Sequence, residues 1–451
     1  MEYKTRGGSG GYSLRFRKPL ILIVVTVLFL CLTSCGEAPL LSNVTFSLDR
    51  ITPNADHVTD VTVITYDLSR SAEVSIYFED DSGERYIFRD RVYHAPSFDQ
   101  SYQLQFGGVV EGYLLPDERS AEQGGGGGSQ ALTAVEGVQL GEFFVEERVL
   151  QDGEYTWTVE AVDEDGVVER ATGTLTVAEA DTQLPRLEGF SVNPPTFTPN
   201  RDGISDRAQI NVYLTKEVDS LSVYLLGEDD TRYYVEEVER VTEQNQPGLH
   251  SFDYDAGVDH GAEPPPDGTY PVRVEAQDAV GQRTSDEGTL TIRNGGVPRP
   301  DILNATVEWS SQSVALGQTL HFTLTVDNDS TVPIRTSGPS SGTVYDNDQN
   351  YATLEEYIQS GVFRVGVHCE NSPTDHPWRW AVGGPDDLYE EDGHFYLPAG
   401  GRAMVTGGIR FVEQMGARNP QYCYASLIHE DVEIAMVNYR VDPVYLRLQI
   451  P

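Results

Sequence analysis

Residues 51–60, ITPNADHVTD, return at residues 197–206 as FTPNRDGISD, an offset of 146 positions. The stretch that follows each copy repeats as well. AEVSIYFEDDSGERYIF at residues 72–88 aligns with DSLSVYLLGEDDTRYYV at residues 219–235. Self-similarity of this kind indicates a duplicated structural unit. The sequence therefore predicts the same domain twice.

Each copy contains stretches in which apolar and polar residues alternate. The closing stretches DGEYTWTVEAVDEDG and DGTYPVRVEAQDAVG begin at Asp152 and Asp267, and in the first of them Trp157 falls in the apolar row. The rows of the second copy are Ala208, Ile210, Val212 and Leu214, then Tyr270, Val272, Val274 and Ala276. A period of two is typical of half-buried strands. With Gly and Asp turn signals between short strands, it predicts an all-β chain of tandem immunoglobulin-like β-sandwiches.

The two copies also resemble a known family. Residues 187–294, and more loosely residues 44–180, are similar to the immunoglobulin-like module of flagellar hook-capping proteins and of surface-protein C-terminal domains in Bacteroidetes. The resemblance implies a small β-sandwich used as a spacer, assembly or attachment unit without catalysis. The first copy departs from the pattern, because it has His57 where the second has Gly203. It also carries an insertion at about residues 89–151 that includes GGGGGS, which predicts a surface loop within the first domain.

A different module follows the hinge NGGVPRP at residues 294–300. HFTLTVDN at residues 321–328 alternates like a strand and ends in polar turn residues. The stretch LPAGGRAMVTGGIRF at residues 397–411 places a Pro/Gly turn before a further strand. Residues 300–451 are therefore predicted to form a third β-sandwich, loosely similar to the cell-adhesion-related domains of bacteria.

The first 34 residues have the composition of a signal peptide, because five basic residues precede an apolar run at residues 20–32. The run ends in Leu32-Thr33-Ser34-Cys35, which resembles the bacterial lipobox. The resemblance implies that Cys35 is acylated, that residues 35–43 are a lipidated tether, and that the lipid membrane is a partner. Gly36 is not the aspartate that retains enterobacterial lipoproteins at the inner membrane, which implies the outer membrane or the cell surface. The alternative is an ordinary cysteine after a conventional signal peptide.

Removal of this leader would take away Cys31 and acylation would occupy Cys35, which leaves only Cys369 and Cys423 as free cysteines. We expect the two to form a disulfide in an oxidising envelope, and the alternative is two separate buried thiols. The leader holds five of the 31 basic residues and one of the 71 acidic ones, so the remaining chain carries 26 against 70. This net negative charge repels the phosphate backbone of nucleic acids, so nucleic acid is not expected as a partner.

Two groups of residues are candidate binding sites. Asn200, Asp202 and Asp206 place oxygen atoms around a glycine, as part of a structural calcium site would, although Asn and Asp also cap turns. Trp378 and Trp380 stand two residues apart, so on a strand they share one face. They are candidates for stacking on sugar rings, and the alternative is that they fill the core.

The HExxH motif of metalloproteases and a phosphate-cradling glycine loop are both missing from the sequence. We therefore expect a non-catalytic, membrane-anchored lipoprotein of the cell envelope. In this interpretation it is a scaffold, adhesion or binding module for an envelope protein or polysaccharide. The alternative is a carbohydrate-binding surface lipoprotein that uses Trp378 and Trp380.

Overall fold

The computed structural model describes residues 38–97, 100–112, 143–238 and 242–449. They fall in two compact units, which are residues 38–110 with 150–180, and residues 111–149 with 181–449. Regular structure in the described residues consists of strands and five short 3-10 helices at Glu228–Asp230, Val258–His260, Leu303–Ala305, Tyr351–Leu354 and Met436–Asn438.

The strands of the described residues are between two and eleven residues long. In chain order, the first ten are β1 (Leu41–Phe46), β2 (Arg50–Ile51), β3 (Thr62–Leu68), β4 (Ala72–Glu79), β5 (Arg85–His94), β6 (Tyr102–Phe106), β7 (Val109–Glu111), β8 (Phe144–Val149), β9 (Gly153–Asp163) and β10 (Val168–Val177). The next eight are β11 (Leu187–Asn193), β12 (Thr196–Phe197), β13 (Ala208–Leu214), β14 (Ser220–Leu226), β15 (Arg232–Val235), β16 (Gly248–Tyr254), β17 (Gly268–Gln277) and β18 (Arg283–Ile292). The remaining strands are β19 (Pro300–Ile302), β20 (Glu308–Trp309), β21 (Ser313–Ala315), β22 (Thr319–Asn328), β23 (Ile334–Thr336), β24 (Val344–Asp346), β25 (Phe363–Cys369), β26 (Trp378–Ala381), β27 (Tyr389–Glu391), β28 (His394–Leu397), β29 (Arg402–Arg410), β30 (Gln421–His429) and β31 (Val441–Gln449).

The first unit is one β-sandwich, called sandwich 1. A sheet of order β1-β3-β6 packs on a sheet of order β2-β10-β9-β4-β5. Trp157 is buried as the alternation predicts, and its ring stacks on Phe46 with centroids 4.4 Å apart. Phe78 stacks on Phe106 at 4.3 Å in the same core. Full burial of one such ring contributes about 1.5–3 kcal/mol, so this aromatic cluster holds the two sheets together.

The second unit begins with sandwich 2, built from a sheet of order β11-β13-β16 and a sheet of order β15-β14-β17-β18-β8. The apolar row predicted for β13 is buried, and so are Val272, Val274 and Ala276 of β17. β8 differs from expectation, because the sequence predicts that its residues belong to a surface loop of the first domain. Instead β8 pairs antiparallel with β18, and Glu146 accepts a hydrogen bond from the Ser285 hydroxyl at 2.7 Å.

Sandwich 3 completes the second unit. Its smaller sheet has the order β19-β22-β29-β24, and its larger sheet has the order β21-β31-β30-β25-β23-β28-β27. β26 pairs with β25, and one core of apolar side chains lies between the sheets. The described chain is therefore all-β and contains several β-sandwich modules.

Candidate functional site

The loop between β12 and β13, residues 198–206, is called the junction loop. Asp206 accepts hydrogen bonds from three backbone amides of the loop, at 2.6–3.4 Å. Asp202 Oδ1 accepts from the Ile204 amide at 2.8 Å, and Asn200 Oδ1 accepts from the Asp202 amide at 3.0 Å. Asn and Asp side chains close turns in this way, so the loop's shape is fixed by its own residues.

The junction loop contacts sandwich 3 through polar groups. The Arg201 carbonyl accepts a hydrogen bond from His429 Nε2 at 2.8 Å, and Arg201 Nη1 lies 3.0 Å from Glu433 Oε1. The Tyr396 hydroxyl donates to Asp202 Oδ2 at 3.4 Å. Three side chains from separate parts of sandwich 3 therefore bind one loop of sandwich 2.

Two backbones also meet closely at this contact. A Cβ atom on Gly203 would lie 2.2 Å from the Ser360 carbonyl oxygen, and one on Gly361 would lie 2.1 Å from the Asp202 carbonyl carbon. Both glycines have φ near +80°, which L side chains rarely adopt. Sandwiches 2 and 3 can approach this closely only because both positions lack a side chain.

Burial shifts the pKa values of three titratable side chains at the contact between the junction loop and sandwich 3. Burial and then the charge of Asp202 raise the pKa of Asp206 to about 6, and burial also raises the pKa of Asp202. Burial lowers the pKa of His429 to about 4, so its ring is neutral at neutral pH and can donate one hydrogen bond to Arg201. Two acids and one histidine with opposite shifts make the contact sensitive to pH.

The structure brings the predicted calcium ligands Asn200, Asp202 and Asp206 together in the junction loop. Their side-chain oxygens already accept hydrogen bonds from loop amides or from Tyr396. The described residues contain no group of three or more His, Cys, Asp or Glu that could hold a metal ion. These hydrogen bonds favour the turn-capping alternative, and structural calcium stays a prediction.

The sugar-stacking prediction for Trp378 and Trp380 is corrected by the structure. Both side chains are 0% exposed and belong to the core of sandwich 3. Trp380 meets Phe322 and Tyr345 edge to face, and its Nε1 donates to the Thr343 carbonyl at 2.9 Å. A ring without a free face cannot stack on a sugar, so the alternative that they fill the core is right.

The predicted disulfide is confirmed. Cys369 of β25 stands opposite Cys423 of β30, and their sulfur atoms are bonded. Cys35 and the apolar run before it lie outside the described residues, as does the glycine run of the insertion. Among the helices that the structure describes, none is long and apolar enough to cross a membrane.

Sandwich 3 contains buried charges that sequence reasoning missed. Glu430 lies between Arg379, which donates to Oε2, and Arg364, whose Nη1 is 3.6 Å from Oε1. All three are buried, and burial lowers the pKa of Arg364. Burying a charge costs several kcal/mol unless it is paired, so each member depends on the others. No sequence signal could have revealed the group, because its members come from three separate segments.

A second feature that sequence reasoning missed lies on the outer side of the larger sheet of sandwich 3. It is called the tyrosine face and consists of Tyr422, Tyr424, Tyr439, Tyr445, Arg440 and Arg447. Tyr422 and Tyr445 are cross-strand partners with ring centroids 5.2 Å apart. Arg440 lies over the Tyr439 ring at 4.9 Å. Alternation in β30 and β31, where the intervening residues are apolar and buried, is the signal that could have revealed it.

No family model matches the chain, and no curated protein matches it. Solved structures with a similar arrangement include a tetra-tandem repeat from the extending region of a large adhesion protein. It has 14% identity and a TM-score of 0.18, over 90% of this chain and 74% of that one. A Ca²⁺-stabilized adhesin with which an Antarctic bacterium binds ice has 12% identity and a TM-score of 0.22, over 91% and 74%. A bacterial ice-binding adhesin has 11% identity and a TM-score of 0.18, over 83% and 100%. Similarity this low carries no conclusion about function.

Proposed function

We propose that this protein is a non-catalytic binding module of the bacterial cell envelope, anchored by acylated Cys35 at the outer membrane or cell surface. In this proposal sandwich 2 holds sandwich 3 in a fixed orientation so that sandwich 3 can bind an envelope component. The supporting observation is the junction loop, which joins the two sandwiches backbone to backbone at Gly203 and Gly361. A fixed pair of modules loses less conformational freedom on binding than two modules on a flexible linker.

Two further features support the envelope location. The disulfide of Cys369 and Cys423 persists in oxidising compartments and is rare in the cytosol. The leader ends in the lipobox-like Leu32-Thr33-Ser34-Cys35. Two or more acyl chains anchor a protein stably, whereas one chain binds reversibly. A diacylated Cys35 would therefore need no membrane-spanning helix.

The anchor is tested by growing cells with a labelled palmitate analogue. The wild-type protein should carry the label and sediment with membranes, and the Cys35→Ser variant should lose both properties. Cys369→Ser is the matched control, because it removes a different cysteine and should keep the label. A wild-type protein that stays unlabelled and soluble contradicts the anchor.

Binding is tested with the soluble chain beginning at Gly36, used as bait for an envelope extract with and without calcium. We expect it to retain an envelope component, and the Gly203→His variant to retain less because the contact with Ser360 is broken. His57→Gly changes the corresponding residue of sandwich 1 and should retain as much as wild type. Retention of nothing, or chemical turnover of the retained component, contradicts the proposal.

A further inference from the structure

The tyrosine face is open to solvent although it is rich in aromatic rings. Tyr445 is 61% exposed, Tyr439 is also exposed, and Tyr422 is half-buried between Tyr445 and Tyr424. The Tyr422 and Tyr424 ring centroids are 6.0 Å apart. Tyr424 is buried and its ring packs against Tyr422 and Tyr439. Tyr445 and Tyr422 therefore present two neighbouring rings, tilted by 58° against each other, on this face.

The charges on this face differ from those elsewhere in sandwich 3. The arginines of the sandwich that pair with carboxylates are Arg364, Arg379, Arg402, Arg410 and Arg418. Arg335 is buried and donates to the Ser360 carbonyl at 2.7 Å. Arg440 and Arg447 are exposed, and neither has an ion-pair partner among the residues that the structure describes. Arg440 is hydrogen-bonded to the hydroxyls of Tyr424 and Tyr439, which do not neutralise its charge, so both guanidinium groups of this face keep a positive charge.

From this combination we propose that the tyrosine face binds an anionic polysaccharide. Aromatic rings pack against the C–H faces of sugar rings, and the tyrosine hydroxyls can exchange hydrogen bonds with sugar hydroxyls. Arg440 and Arg447 would bind the carboxylates or sulfates of the polymer, because the guanidinium fork matches such oxyanions. Alternation places Tyr445 and Arg447 on the same side of β31, so one chain segment can contact both.

The overall negative charge does not exclude such a ligand. At physiological salt the Debye length is about 8 Å, so carboxylates in distant parts of the chain are largely screened. The nearby Glu370 carboxylate is bound by Arg418. Asp442 accepts a hydrogen bond from the Val307 amide at 2.9 Å. Arg440 and Arg447 therefore supply the positive charge that a bound polymer meets on this face.

This inference rests on the proposed function, since it names the ligand class of the same binding module. The test measures binding of the soluble chain beginning at Gly36 to polygalacturonate, dextran sulfate, fully methyl-esterified polygalacturonate and neutral dextran. The esterified polymer keeps the sugar backbone but removes its charge. We expect binding to polygalacturonate or dextran sulfate, and at least about tenfold weaker binding to the two neutral polymers. Binding should weaken in high salt.

Variants locate the site. Arg447→Gln and Arg440→Gln should each weaken binding about tenfold, and Tyr445→Ala should weaken it on the charged polymers. Sandwich 2 offers matched controls in Tyr234, which is 62% exposed, and in Arg232, which pairs with Glu275. Tyr234→Ala and Arg232→Gln should bind as wild type does. Thermal unfolding of all variants confirms that each is folded.

The inference is overturned if charged and neutral polymers bind equally, or if the variants of the tyrosine face bind as tightly as wild type. Capture of an envelope protein without any polysaccharide would overturn the inference and leave the proposed function standing. Capture of neither would overturn both. Binding to charged polymers that is lost in the tyrosine-face variants alone supports both.

Discussion

Sandwiches 1 and 2 contain the same loop, at residues 52–60 and at residues 198–206. Asp60 accepts from the His57 amide at 2.7 Å, as Asp206 accepts from the Gly203 amide at 2.6 Å. Four further hydrogen bonds of the junction loop have counterparts in the first loop as well. The conformation is therefore encoded within the loop, because two copies with different surroundings adopt it.

The surroundings of the two loops are different. Asp56 is exposed, whereas the corresponding Asp202 is buried and is contacted by Tyr396. Two of the differences between the loops lie at the contact, because the junction loop has Gly203 in place of His57 and Arg201 in place of Ala55. The same loop conformation thus serves as a docking element only in the copy that has glycine at this position. Changes at matched positions of the two loops can test this account.

The largest expected effect comes from Gly203→His, which gives the junction loop the residue of the first loop. Overpacking costs about 1–3 kcal/mol. A side chain at a positive φ costs about 1 kcal/mol more. We expect about 3 kcal/mol less stability for the unit that contains sandwiches 2 and 3. This loss of stability should appear as faster hydrogen exchange at residues 359–362 and as a lower Tm in calorimetry.

The matched control is His57→Gly in the first loop, where we expect a change within about 0.5 kcal/mol, as for other surface substitutions. If Gly203→His left both the exchange at residues 359–362 and the Tm unchanged, the close approach to Ser360 would not exist in solution. A loss for His57→Gly as large as that for Gly203→His would mean that the close approach to Ser360 is not the reason for the loss at Gly203.

The second prediction compares the same internal hydrogen bonds in the buried junction loop and in the more exposed first loop. Asp206→Ala and Asp60→Ala each leave backbone amides without their carboxylate acceptor. A buried unsatisfied donor costs about 1–3 kcal/mol, whereas water replaces the acceptor at an exposed loop. We expect thermal unfolding to report a loss of about 2 kcal/mol for Asp206→Ala and about half of that for Asp60→Ala. A larger loss for Asp60→Ala would be inconsistent with the burial of the junction loop.

A third effect is the pH dependence that His429 gives to the second unit. The pKa of His429 falls from 6.5 in the unfolded chain to about 4 in the folded one, because its ring is buried. The folded state then binds fewer protons, so stability is lost as pH falls from about 6.5 towards 4. By pH 5.5 the loss should be about 1 kcal/mol relative to pH 7.

Asp206 acts in the opposite direction. Its pKa is raised to about 6 in the folded state, so its protonated form adds stability at low pH that is lost as pH rises through about 6. His429→Gln should therefore reduce by about 1 kcal/mol the stability that the second unit loses between pH 7 and pH 5.5. Calorimetry between pH 5.5 and pH 7 measures this difference. If the stabilities of the variant and the wild type changed with pH in the same way, this pH dependence would not come from His429.

The elements that could be predicted from the sequence are those determined by local pattern. Alternation in β13 and β17 predicted the buried rows, and the duplication predicted the second loop. The disulfide followed because only Cys369 and Cys423 remained to pair. Each of these predictions needs only the pattern of neighbouring residues or the number of cysteines left to pair. A single sequence contains both.

The failures involve partners that are distant in sequence. Alternation showed that Trp378 and Trp380 share a face, but only the packing of Phe322 and Tyr345 decides that this face is covered. β8 pairs with β18, and such pairing depends on tertiary context rather than on local propensity. Gly203 is likewise explained only by Ser360 of sandwich 3. The sequence therefore identified the candidate residues but not the side chains that pack around them.

The smallest expected effect concerns the ion pair at the edge of the junction loop. Arg201 and Glu433 are 3.0 Å apart, and the Glu433 side chain is half exposed, so the pair is worth about 0.5 kcal/mol. Glu433→Gln should lower the Tm slightly in low salt and leave it unchanged in molar salt, where the attraction is screened. The first loop has Ala55 at the position of Arg201, and Ala55→Arg should have no effect because the new side chain meets no partner there. A loss above about 2 kcal/mol for Glu433→Gln would mean that the contact depends on this ion pair. A small loss beside the large one for Gly203→His would instead show that backbone approach holds sandwiches 2 and 3 together.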